Sequence, residues 1–163
     1  PAPAPAPAVP APPLEPEPIP RAATASPEPQ PRRDAPAALV DNPRWRTYPP
    51  GSYLRQRLNA TQTQFSAQAA GDSYTARILT VPRDRAVETE RYLRDLARFF
   101  SIRNVMIYPA VAEGAEVFVI SYGLYPSEFQ AELFIHELPS FFRADRPFTQ
   151  ALAVSQLEAA AHW

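Results

Sequence analysis

The sequence predicts an α+β domain of βαββαβ order, carried behind a proline-rich tail. The first observation is Glu116 to Ser127, EVFVISYGLYPS, an alternating strand with a Gly-x-Tyr exit that leads to a helix cap. The second is Tyr74 to Asp84, YTARILTVPRD, a variant of the same unit that is also followed by a helix-like segment. The third is the distribution of proline, since 17 of the 22 prolines fall within the first 50 of 163 residues. The chain thus divides into a part with little to bury and one that can build a core.

The segments follow in order. Residues 1–40 begin PAPAPAPAVPAPP and continue through EPEP and SPEPQP, which presets φ, removes backbone donors and offers almost nothing apolar. This reads as a polyproline II linker, which at full extension spans on the order of 120 Å. Asp41 to Leu58 carries Arg44, Trp45, Arg46, Tyr48, Tyr53, Arg55 and Arg57 without clear periodicity. It reads as a lead-in that packs loosely, or as a contact for anionic lipid or a partner protein. Thr61 to Gly71 is small and polar, as in a second joint. Residues 1–72 are therefore expected to be linker and 73–163 the domain.

Within 73–163, Tyr74 to Val81 is the first strand. Asp84 is placed to cap a helix whose inner positions are Ala86, Leu93, Leu96, Ala97 and Phe100. Asn104 to Tyr108 and Glu116 to Tyr122 form a hairpin about a turn at Ala112 to Ala115 that contains Gly114. Ser127 and Gln130 fit a capping box for a second helix, with Ala131, Phe134, Ile135 and Leu138 inward and Pro139 at its end. Pro147 to Leu152 supplies a fourth strand and Ala153 to Ala161 a short terminal helix. Both principal helices then lie on one face of a four-stranded antiparallel sheet, and the other face is expected to be open. By alternation Val117, Val119 and Ser121 point to that open face, and Phe118, Ile120 and Tyr122 to the helices. Tyr122, Gly123 and Tyr125 read as determinants of the fold.

Composition narrows the function. About 90 residues make one modest core, burying about 60 to 65% of the unfolded surface. The whole chain has a formal charge of −1, with 16 arginines and no lysine, so no strongly charged partner is implied. Absence of cysteine rules out disulfides and thiolate metal sites. No apolar run is long enough to span a membrane, and the start at Pro1 suggests a fragment whose address and anchor were removed. His136 and His162 have no nucleophile beside them, and no cofactor motif occurs. Glu113 and Glu116 flank a turn, a setting that does not supply the buried acid glycoside hydrolysis needs. A non-enzyme is expected. RNA-recognition domains share the order of elements, but here the third strand presents no aromatics to the open face and the domain is slightly acidic, so no nucleic-acid partner is expected.

The order of elements, VFVISYGLYPS, the helix-ending Leu138-Pro139 and RPFTQALAVSQ together resemble a SPOR domain, closest to the branch found in a cell-division protein. The resemblance covers Tyr74 to about Leu157. It implies a ferredoxin-like fold that binds peptidoglycan glycan strands stripped of stem peptides, which gather at division septa. It also implies a periplasmic location and a proline-rich tether to an inner-membrane anchor outside this chain. The glycan-facing positions it marks are Arg77, where the family usually has Gln, and Thr80, where it has a small polar residue. Val117 stands where the branch carries a sugar-stacking Trp, and Phe148 stands for its late Trp. With Val119, Ser121 and Gln150 these form the expected glycan site, with no cofactor and no metal. The other reading is a SPOR-like fold turned to protein contact in a periplasmic secretion, pilus or division assembly, with other envelope or divisome proteins as partners.

Overall fold

The computed structural model of the chain describes residues 41–69 and 71–163; the linker expected over 1–40 lies outside the described residues. The elements in chain order are α1 (Tyr53–Ala67), β1 (Tyr74–Pro82), α2 (Ala86–Leu96), β2 (Val105–Ala112), β3 (Ala115–Tyr125), α3 (Glu128–Glu137), α4 (Ser140–Arg143), β4 (Phe148–Ala151) and α5 (Leu152–Ala160). The strands form one antiparallel sheet in the order β2-β3-β1-β4. From β1 onward the chain therefore has the expected βαββαβ, ferredoxin-like architecture.

The main core forms where the alternation of β3 sends Phe118, Ile120 and Tyr122 to one side. There they meet Ile78 of β1, Val105 and Ile107 of β2, and Leu93 and Leu96 of α2. Tyr122 stacks on Phe134 of α3 with ring centroids 4.6 Å apart and planes 10° from parallel. Ala131 of α3 is buried with Ala76 and Tyr125. The α3 cap is as expected on one side, with Ser127 Oγ accepting from Gln130 N at 3.4 Å. The β2–β3 turn places Glu113 and Gly114 at φ 51° and 79°, the left-handed pair that matches strand twist in a two-residue hairpin loop. At Gly123 φ is 71°, and a Cβ there would lie 2.7 Å from the Tyr125 ring, so Gly and Tyr fix the strand exit together.

Three expectations are corrected. Asp84 does not cap α2: it lies in a 3-10 turn, Arg83–Arg85, and the capping position is Arg85, whose side chain makes no capping bond. The lead-in is not loose. Trp45 is fully buried, edge-on to Phe118 at 6.2 Å, with the guanidinium groups of Arg44 and Arg83 over its ring at 5.5 and 5.3 Å. Both arginines also pair with Glu116, at 3.3 and 2.7 Å. Finally, most of Thr61 to Gly71 is not a joint but the second half of α1, so among the described residues the folded body begins near residue 41 and not at 73.

The physical reason is that the ferredoxin-like unit leaves a strand edge and part of its core uncovered. Leu54, Leu58 and Thr61 are buried at helical spacing, and Phe65 continues the stripe. Ser52 Oγ caps the helix by accepting from Arg55 N. Glu90 of α2 accepts from Tyr53 N and Leu54 N at 3.2 and 3.0 Å, which satisfies two more first-turn donors. α1 then runs along the outer edge of β2, where Arg57 Nε donates to Val105 O at 2.7 Å.

Candidate functional site

The second sheet face is not open. Val117, Val119, Tyr108 and Ala110 are buried beneath Ala159 of α5, with Phe65 and Trp163 packed against them. Ser121 is also fully buried. The sheet-wide groove expected from the sequence is thus corrected: an apolar strip with two valines and a tyrosine has to be covered, and α5 with the end of α1 covers it. Val117, Val119 and Ser121 are present on the expected face but are closed off from solvent.

The remaining expected residues, Arg77, Thr80, Phe148 and Gln150, come together where this cover ends. Strict alternation would put Arg77 and Thr80 on opposite faces. A bulge at Ile78 prevents that, because Arg77 pairs with Ser121 while Leu79 pairs with the adjacent Ile120. Arg77 and Thr80 consequently share a face, and Arg77 Nη2 donates to Thr80 Oγ1 at 3.1 Å. On the other side Arg77 is in register with Phe148 of β4, and its guanidinium lies 5.5 Å from the ring centroid. Phe148 keeps 51% of its surface exposed. Gln150, nearly buried, accepts from Arg77 Nη1 at 3.1 Å through Oε1.

Two residues at this site escaped the sequence reading. Glu158 of α5 accepts from Arg77 Nη1 at 3.3 Å through each oxygen. Its Oε2 also accepts from Gln150 Nε2 at 3.2 Å and from the Tyr108 hydroxyl at 3.1 Å. Burial, reinforced by the Glu158 charge, pushes the Tyr108 pKa well above the ordinary tyrosine value, so its hydroxyl stays protonated and donates. A lone acid in an alanine-rich terminal helix gives no periodic signal, and Tyr108 read only as strand. What results is a half-covered polar nest with an exposed flat ring at its rim, a combination that suits a ligand with both hydroxyl or carboxylate oxygens and a ring face.

The residues weighed for catalysis lie elsewhere. Glu116 is paired with two arginines, Glu113 occupies the hairpin turn, and His136 is exposed on α3. Among the described residues no group of three His, Asp or Glu side chains is arranged to hold a metal, and no helix is long and apolar enough to cross a membrane. Comparison of the chain with protein-family models finds no match, and comparison with curated proteins finds none either.

Proposed function

We propose that the chain is a non-enzymatic module that binds peptidoglycan glycan strands, preferentially ones stripped of stem peptides, and so holds a tethered envelope protein at the cell wall or division septum in the periplasm. The single observation that carries this reading is the exposed Phe148 ring beside the polar cluster of Arg77, Thr80 and Gln150. A sugar offers hydroxyl and acetamido oxygens to such donors and an apolar face to such a ring. The binding region on this reading is the rim between β4, β1 and α5, not the whole sheet face. The test is pelleting of the full chain with purified sacculi before and after amidase treatment. Binding should rise on treatment and fall in Phe148→Ala; no pelleting by the folded chain would overturn the reading.

The second reading, a protein-contact module, is favoured by the burial of Val117, Val119 and Ser121 and by an exposed aromatic pair. Phe99 and Phe141 are both about half exposed, with ring centroids 5.5 Å apart, and Leu157 of α5 is 75% exposed. Exposed apolar groups of this kind suit a partner surface.

A further inference from the structure

Arg77, Gln150 and Tyr108, from three different strands, converge on one carboxylate, that of Glu158, and this carboxylate comes from α5, the element that covers the face. We infer that the three donors form a carboxylate receptor whose intended occupant is the lactyl carboxylate of a peptide-free muramyl residue, and that Glu158 fills the receptor in its absence. The inference rests on the glycan-binding reading above and supplies its basis for selectivity.

Three observations besides the convergence support it. The four contacts to Glu158 measure 3.1 to 3.3 Å, long for charge-assisted bonds, which settle near 2.7 to 2.9 Å; the internal carboxylate is loosely seated. On the same sheet face Ser121 Oγ is buried without a hydrogen-bond partner. Glu158 keeps a third of its side-chain surface exposed, so the receptor opens to solvent next to Phe148. The chemistry of the ligand then accounts for the preference. In an intact strand the lactyl carboxyl is tied up as the amide to the stem peptide; hydrolysis of that amide by an amidase leaves a free carboxylate, with the amine departing on the peptide. A carboxylate receptor therefore takes the denuded strand and refuses the substituted one. Stem peptides also end in carboxylates, but these are lost in the same treatment, so the two sources move in opposite directions.

The test uses the unaltered full chain and amidase-treated glycan, with one portion of the glycan converted to neutral lactyl amides by carbodiimide and ammonia. Amidation should weaken binding roughly tenfold or more, as expected for loss of a charged hydrogen-bond partner. Glu158→Gln, which removes the competing charge, should bind the untreated denuded glycan about threefold more tightly. Arg77→Gln should lose the discrimination between the two glycans. Equal binding of amidated and free glycan by the unaltered chain overturns the carboxylate inference and leaves glycan binding standing. Failure to bind any glycan overturns both. Because the amidation arm needs no substitution, a poorly folding variant does not decide the outcome.

Discussion

Thr61 Oγ1 accepts a hydrogen bond from Ile107 N at 2.9 Å, and both residues are fully buried. With the Arg57 bond to Val105 O, this makes α1 a side-chain cap for the edge of β2, whose outward backbone groups would otherwise invite pairing with another strand. Burial lowers the Arg57 pKa to about 10, so it remains charged at neutral pH. Thr61→Val keeps the shape but leaves the Ile107 N–H buried and unpaired, at a cost of about 1 to 3 kcal/mol. Urea unfolding monitored by circular dichroism should show the lowered midpoint, and an unchanged midpoint would deny the cap its importance.

Trp45 ties the segment before α1 to the main core, so Trp45→Ala should cost about 3 to 5 kcal/mol. For the same reason a chain shortened to 73–163 loses Trp45, Leu54 and Leu58 and exposes Phe118 and the β2 edge. It should associate or unfold where the longer chain stays monodisperse, as light scattering would record. A stable, monomeric 73–163 fragment would contradict this.

Much of the fold was legible because β3 advertises both of its faces: Val117 and Val119 on one side, Phe118 and Ile120 on the other. α1 was not legible because its stripe Leu54, Leu58, Thr61, Phe65 has a threonine at a core position, which reads as polar until the strand edge it bonds is known. The site was partly legible. Arg77 and Thr80 were marked by resemblance, yet their spacing of three contradicts a plain strand, and only the bulge at Ile78 reconciles the two. The cover by α5 was not legible, since a short alanine-rich helix carries no sign of which surface it lies on.

Gly123→Ala should destabilise the domain by about 1 to 3 kcal/mol, because the left-handed φ strains alanine and the new methyl meets the Tyr125 ring. Gly123→Ala in a Tyr125→Leu background should cost less, because the steric part is relieved while the backbone part remains. Equal costs in the two backgrounds would show that the ring contact is unimportant.

Tyr92, Tyr108 and Tyr125 all have pKa values raised above the ordinary 10.0, chiefly by burial. Their folded values lie above their unfolded values, so their contribution is complete below pH 10 and is lost as pH rises beyond it. Each then costs about 1.4 kcal/mol per pH unit, and Arg57, shifted the other way, offsets one of the three. Unfolding midpoints should be insensitive to these groups up to about pH 10 and fall steeply above it. Ionisation of Tyr92, Tyr108 and Tyr125 only as the chain unfolds would verify the cause; their ionisation near pH 10 in the folded chain would refute it.

Glycan held at the rim formed by β1, β4 and α5 should perturb the backbone amides of those three elements. The measurement is a titration of the isotopically labelled full chain with peptide-free glycan oligomers, following backbone amide shifts. Saturable shifts should centre on Arg77, Thr80, Phe148 and Gln150 and extend into α5 around Glu158. Shifts confined to the surroundings of Phe99 and Phe141, or none at saturating glycan, would contradict binding at this rim.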